Sequence, residues 1–460
     1  MGYADSYFDK KREVFIFQPK NVDRGYFRVP RLKKQEESKL VSLIKDRVTD
    51  QFKTIDLLDI LLEADRGINF SKFFHTSAQR QILTDTEVRE RLLLNIFSLG
   101  TNVELKRIYN SASPNCSYND LLYFRKRYMN PDALRNSTIA LTNKIFDVRN
   151  PNIWGDTKTC ACDGKQFTSY DQNLMASSNP HYPKKGIMVY WHVDKNSTCI
   201  YSQLKHTNSS EVVSMIEGLI KHETEMKIEA SYTDSRGQSE IAFAFCHFLD
   251  IDLMPRFSKV KYKKLYIPYK NKDMYLNLKS VINKPINWEL IKSQYDEMVK
   301  HVVAIVNGSG STESILRRFS SYNSTHPTYK AFKELGRAKK TIFLCNYLTD
   351  PILRREIHEA LNIVEAWNSV NSFISYGGRY GFNSNDPVIQ EMTVLCLHLL
   401  QNALILVNTM LLDRVITTQG FLDKMTEKDL RSLTPLFTSN INPYGTFTLD
   451  LNKNSILEAA

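Results

Sequence analysis

The sequence predicts an α+β (α/β) protein: a mixed five-stranded sheet flanked by helices, with an all-helical region before it and more helices after it. Three observations lead there. Residues 36–147 carry helical periodicity with clear start signals, and the text then shortens to β-branched and aromatic runs separated by turn residues. From about residue 210, helical and extended segments alternate. Three successive strands followed by helix and strand in alternation describe a mixed sheet with helices on its faces.

Residues 1–35 read as an irregular, basic leader. A helical domain follows over 36–155, with an apolar face at Leu57, Leu58, Leu61 and Leu62. Thr84-x-x-Glu87 and Thr101-x-x-Glu104 read as capping boxes, with Gly100 ending the helix between them. Ser117 is placed to cap LLYFRKRYM, and Pro131 lies in a first helical turn. Residues 156–270 form the first part of the sheet domain. Strands are expected over Thr159–Phe167, Gly186–Val193 and Thr198–Leu204, then a helix over Ser210–His222 and a strand ending in TDSRG. A helix over Ser239–Leu249 and a strand near Leu253–Phe257 complete it. After the Lys- and Tyr-rich linker VKYKKLYIPYKNKDMY, helices resume. Asp350-Pro351 opens a helix that runs to about Ser375, closed by Gly377-Gly378, and Asp386-Pro387 opens the next. These last helices occupy 346–415, and 416–460 is a carboxy-terminal tail.

Composition narrows the function. Lys and Arg outnumber Asp and Glu by 61 to 50, and the isoelectric point is about 9.1. That balance points to a polyanionic partner, nucleic acid before membrane. Seven cysteines form no CxxC pair, and Cys160 and Cys162 are too close in sequence for an ordinary tetrahedral half-site. They read as small residues in a reducing, cytoplasmic compartment. The first twenty residues carry acids and lysines where a secretory signal needs an apolar run. The most apolar segment, Val394 to Leu412, contains His398, Gln401, Asn402 and Asn408, which lipid would leave unsatisfied. A buried helix is expected there, and no membrane partner.

Three acids could carry chemistry. Asp163 in CACDGKQF and Asp234 in SYTDSRG each read, taken singly, as turn or helix-start aspartates. Asp234, however, falls where a strand ends and a helix is about to begin, a favoured place for sites in open sheets. Glu365 belongs to a stripe of Arg354, His358, Asn362, Glu365, Ser369 and Ser372 on one helix face, opposite Leu353, Ala360, Val364 and Trp367. Such a stripe is ordinarily a solvated face, but this one mixes a carboxylate with amides and an arginine, which suits a wet cleft slightly better than bulk water. Three hard oxygen ligands without His or Cys suit Mg²⁺ or Mn²⁺. Two such ions about 3.5–4 Å apart can activate an attacking oxygen and stabilise a leaving one.

Seven stretches then carry a resemblance: WGDTKTCACDGKQF, GIMVYWHVD, YTDSRGQSEIAFAFCHFLDIDLMPRF, KELGRAKKTIFLCNYL, RREIHEALNIVEAWN, LCLHLLQNALILVNTMLL and LRSLTPLFTSNINPYGTF. In this order and spacing they resemble the carboxy-terminal catalytic region of the Tn-three family of bacterial replicative DDE transposases. The resemblance implies an RNase-H-like sheet domain with a helical insertion at about 271–345. It places the aspartate of the family's SDG-type motif on Asp163, that of its TDT-type motif on Asp234, and the glutamate of its LN-x-x-E motif on Glu365. It implies two Mg²⁺ ions (Mn²⁺ can substitute), DNA as partner through terminal inverted repeats and target DNA, and homo-oligomers assembled on DNA in the bacterial nucleoid. Basic residues near the acids are candidate DNA contacts: Lys165, Arg236, Lys339, Lys340, Arg354, Arg355 and Arg379. In the linker, Tyr262, Tyr266 and Tyr269 are weaker candidates for base stacking.

The sequence departs from the family pattern in places. Cys162 stands where serine is usual, Ser235-Arg236 replace Thr-Ala, and Ile363-Val364 replace Lys-Gly. Met1 falls near the middle of the family pattern, so the chain is expected to be a truncated form without the terminal-repeat-binding half. The leading expectation is an active catalytic region that cleaves phosphodiesters and transfers the 3′-hydroxyl. The alternative is a silent remnant that binds DNA or full-length transposase. Another RNase-H-like nuclease, a resolvase or integrase relative, has no reason to carry the helical motifs after residue 330.

Overall fold

The computed structural model describes residues 15–17, 25–32, 38–76, 82–112, 114–178, 184–270, 275–319, 325–378, 381–444 and 447–456. Six amino-terminal helices come first: α1 (Lys39–Phe52), α2 (Leu57–Ile68), α3 (Asp85–Thr101), α4 (Leu105–Ala112), α5 (Tyr118–Arg127) and α6 (Pro131–Val148). Their caps follow the sequence at three points. Thr84 and Glu87 form the expected capping box, Ser117 forms one with Asp120, and Pro131 occupies the first turn behind Asn130. Two expectations fail together. Gly100 and Thr101 lie inside α3, which ends only at Asn102 in the left-handed conformation (φ 57°), and the Thr101 hydroxyl donates back to Phe97. Gly100 is needed for packing instead: a Cβ there would lie 2.4 Å from Leu400 Cδ1 and 3.0 Å from the Cys396 carbonyl carbon. Part of the leader, expected to be irregular, forms a short antiparallel ladder between Phe15–Phe17 and Tyr26–Arg28.

The sheet follows. Strands β1 (Thr159–Thr168), β2 (Gly186–Asp194), β3 (Cys199–His206), β4 (Ala230–Thr233) and β5 (Asp252–Pro255) lie in the order β3-β2-β1-β4-β5. The first three form the expected antiparallel meander, while β4 and β5 run parallel to β1. Parallel neighbours need crossovers, which are supplied by α7 (Glu211–Lys221) and α8 (Glu240–Phe248). β2 is buried at all nine positions, consistent with its almost unbroken apolar text and with helices on both faces. On one face, Trp191 packs 5.9 Å from Trp367 of α13 (Pro351–Ile374) and 6.1 Å from His398 of α14 (Pro387–Thr418). On the other, His192 bonds the Met215 carbonyl of α7 at 3.1 Å, and burial lowers its imidazole to about 3.

Between β5 and α13 lie α9 (Trp288–Ser293), α10 (Tyr295–Val306), α11 (Thr312–Arg318) and α12 (Pro327–Thr349). A short parallel pair, Leu265–Ile267 with Ile282–Pro285, was not anticipated in the linker. α12 docks on α8, with Phe332 stacked on Phe245 at 4.6 Å.

α14 joins the two halves, packing against α1, α2, α3 and α6 as well as β3. By length and composition it could cross a membrane, but 94% of its most apolar window is buried inside the protein. Its polar residues find partners there. His398 bonds Ser202 and the Cys199 carbonyl, at 3.0 and 2.9 Å. Asn402 accepts from Cys199 N–H and donates to the Cys199 carbonyl and Thr142. Gln401 donates to the Trp367 carbonyl, and Asn408 to those of Pro435 and Phe437. The buried amide donors with made hydrogen bonds fix register, while Gln401 Oε1 and Asn408 Oδ1 find no hydrogen-bond partner among the described residues.

Candidate active site

Strand pairing brings the first two acids together. The parallel ladder of β1 and β4 ends with Cys162 opposite Thr233, so Asp163 and Asp234 are the next residues on adjacent strands. Asp163 also pairs with Trp191, while Cys162 pairs with His192. Side chains alternate along a strand, so Asp163 points to the α13 face and Cys162 to the α7 face. The cysteine that departs from the family serine is therefore a core residue, fully buried with its Sγ 3.4 Å from Ser231 Oγ.

Asp234 caps a 3-10 turn, Ser235–Gly237, accepting from Arg236 N–H at 2.8 Å. The Arg236 guanidinium donates to Glu211, and its Nε lies 3.9 Å from Asp234 Oδ2. Asp163 is part of the same charge cluster. Burial, with the charges of Asp234 and Glu211 in support, pushes its carboxyl up to about 7, against the Gly164 N–H and Arg236, which favour the anion. Two carboxylates close enough to repel each other make a place where a cation is favoured.

Glu365 is brought to the same strand by its helix. α13 has the expected amphipathy: Ala360, Val364 and Trp367 are buried, while His358, Asn362, Glu365, Ser369 and Ser372 are exposed. Two ties hold it to the sheet. Tyr232 of β4 donates to Glu356 at 2.7 Å, and Lys165 of β1 donates to the Asn368 carbonyl and, at 2.5 Å, to Ser372 Oγ. Glu365 is one turn before Asn368, but its carboxylate is on the exposed side. Among the described residues, no three His, Cys, Asp or Glu side chains are grouped closely enough to hold a metal ion. Asp163 and Asp234 are oxygen donors of the kind hard divalent cations take, while Glu365 lies on the neighbouring helix with its side chain exposed.

The expected DNA contacts divide. Arg236 is in the ion pair just described. Lys165 is half-buried against α13, and burial lowers its ammonium to about 8. Lys340 donates to the Gln238 carbonyl at 2.6 Å, and Lys339 and Arg355 are half-exposed. Arg354 turns inward, contrary to its expected place on the polar stripe. It is 6% exposed and donates to the Tyr347 and Leu348 carbonyls at the end of α12, so it joins two helices instead of facing solvent. Arg379 lies outside the described residues. Sequence reasoning missed Glu211 and Lys205. Glu211 looks like any helix-start acid, and only its packing shows that its side chain is 11% exposed. Lys205 lies near the end of β3, its ammonium 4.7 Å above the Tyr190 ring.

A mixed sheet of this order, with two aspartates just past the last rung of its central parallel strands and the Glu365 helix packed on the same sheet, is consistent with the RNase-H-like arrangement. The chain belongs to the Tn3 transposase DDE domain family, whose profile matches residues 59–447. It is 28% identical over 437 residues to the transposase for transposon Tn1546 of Enterococcus faecium, an overlap of 94% of this chain and 44% of that protein. The transposase for transposon Tn501 of Pseudomonas aeruginosa is 25% identical over 409 residues, covering 87% of this chain and 40% of its own length. The transposase for transposon gamma-delta of Escherichia coli (strain K12) is 23% identical over 455 residues, covering 97% and 44%. The chain spans less than half the length of these curated relatives.

Proposed function

We propose that this chain is the catalytic region of a DNA transposase: it cleaves a phosphodiester at a transposon end and joins the freed 3′-hydroxyl to target DNA. The observation that carries the reading is the juxtaposition of Asp163 and Asp234 one residue beyond the last rung of two parallel strands, in a family defined by its DDE domain.

Asp163, Asp234 and Glu365 would hold the divalent ions, two of Mg²⁺ or Mn²⁺. When bound, such ions lower the cost of deprotonating the attacking oxygen and neutralise charge on the leaving one. The protein's own part is placement. The β1–β4 ladder fixes the two aspartates, and the ties at Tyr232 and Lys165 fix the helix of Glu365 over β1. Closure of the exposed Glu365 side chain onto the aspartates would complete the acidic set when DNA arrives. Arg236, Lys339 and Arg355 are the cations best placed to meet phosphate, because Arg354 is buried and Lys340 faces inward. Homo-oligomerisation on paired DNA ends is part of the proposal.

The test is Mg²⁺-dependent nicking and strand transfer of pre-cleaved DNA ends by wild type and by Asp163→Ala, Asp234→Ala and Glu365→Ala. The reading expects each substitution to abolish both activities while circular dichroism and thermal melting stay near wild type. Three variants that cleave like wild type would remove the assignment. A wild-type chain that binds DNA without any metal-dependent cleavage would instead support the silent binding protein.

A further inference from the structure

A cation belonging to the chain spans Glu211 and Asp234, beside Asp163. Arg236 leaves the turn after β4 with its guanidinium on Glu211 and its Nε 3.9 Å from Asp234 Oδ2. Glu211, in the first turn of α7, is nearly covered, so this ion pair is more than a solvated surface contact. β3 brings a second cation close by: Lys205 is 7% exposed, and its ammonium has no hydrogen-bond partner among the described residues. Its ammonium lies 4.7 Å above the Tyr190 ring, and burial above all lowers it to about 8, with Glu211 and Asp163 favouring the charged form and the like charge of Arg236 disfavouring it.

We infer that Glu211 is a positioning residue that holds Arg236 beside Asp234, so that the guanidinium competes with divalent cations for the acidic pair. This rests on the reading of those aspartates as the cation site. With Arg236 docked, one positive charge already offsets the carboxylates, and an incoming divalent ion must displace it. Once displaced, the guanidinium is on an exposed turn beside the site, where a DNA phosphate is its natural partner. Glu211 thereby couples cation entry to DNA arrival, because phosphate offers Arg236 an alternative anion.

The inference is tested without DNA by titrating Mn²⁺ into the full chain and reading free Mn²⁺ by electron paramagnetic resonance. R236Q removes the competitor and is expected to tighten Mn²⁺ binding roughly three- to tenfold, a modest factor because the arginine is partly exposed. R236K keeps the charge and is expected to remain close to wild type. E211Q releases the guanidinium from its anchor and is expected to tighten Mn²⁺ binding, by less than R236Q because a nearby carboxylate is lost as well, and because Glu211 acts through Arg236 this tightening should vanish in the R236Q background. If R236Q binds Mn²⁺ no tighter than wild type, or if the two substitutions are simply additive, the inference is overturned. The double variant D163N/D234N separates the two levels. Loss of Mn²⁺ binding there, with R236Q unchanged from wild type, defeats the positioning role alone, whereas unaltered binding by D163N/D234N defeats the site and this role with it.

Discussion

Lys165 donates from its ammonium to the main-chain carbonyl of Asn368, tying the strand that carries Asp163 to the helix that carries Glu365. The same ammonium reaches Ser372 one turn later, so residues 365–372 are held over β1 by one side chain. A phosphate contact at Lys165 would have to break this tie. Its first task is therefore positional, and the acid two residues before it gains a fixed neighbour.

Lys165→Met is expected to keep the apolar stem and lose the tie. Hydrogen exchange of amides 365–374 should rise several-fold, with the sheet amides unchanged. Metal-dependent cleavage should fall by about tenfold or more, as misplacement of a catalytic group does. Unaltered exchange in this segment would show that the tie does not hold the helix.

The most apolar helix supplies a second prediction. Asn402 is fully buried, and truncation would leave the Cys199 N–H without its acceptor and remove the donor to Thr142 and the Cys199 carbonyl. Asn402→Ala is expected to cost about 2–4 kcal/mol, because buried groups left unsatisfied pay their desolvation in full. Urea unfolding measures it. A loss below about 0.5 kcal/mol would mean the network relaxes without it.

Gly100→Ala is expected to destabilise the protein by roughly 1–2 kcal/mol in the same assay. The added methyl would meet Leu400, which can move, and the Cys396 backbone, which cannot, so the overpacking cost exceeds the helix propensity alanine adds. A stabilised variant would indicate that α3 and α14 are farther apart than described.

Asp413 gives the pH dependence. It accepts from Trp154 Nε1 at 2.6 Å and from Asn150 N–H at 3.1 Å, and burial above all pushes its carboxyl up to about 6. A carboxyl raised in the folded state binds its proton more tightly there than in the unfolded chain. Its contribution is complete below about pH 4 and is lost as pH rises through about 6. Wild type should therefore lose roughly 1–3 kcal/mol relative to Asp413→Asn between those limits, less any solvent screening. Parallel stability–pH curves for the two proteins would contradict it.

These residues also show what the sequence could and could not reveal. The strands, the crossover helices and the Asp-Pro helix starts were legible because period, capping and proline chemistry are local. The fate of Gly100 was not, because a helix 300 residues away decides whether that glycine stops a helix or admits a neighbour. Arg354 fits a solvated stripe by spacing alone, yet the carbonyls at the end of the preceding helix claim it. The pairing of Asp163 with Asp234 became visible through motif resemblance and then through register. Glu211 had no such mark: an acid in a first helical turn is ordinary, and only the Arg236 ion pair sets it apart.

Asp163, Asp234 and Glu365 are expected to meet around divalent metal once a DNA end is bound. Anomalous diffraction at the manganese edge, from crystals of the chain with Mn²⁺ and a cleaved DNA end, tests it most directly. The account predicts manganese peaks within about 2–2.4 Å of carboxylate oxygens of all three residues. Manganese bound elsewhere, or at the aspartates with Glu365 still turned to solvent in the DNA complex, would contradict it.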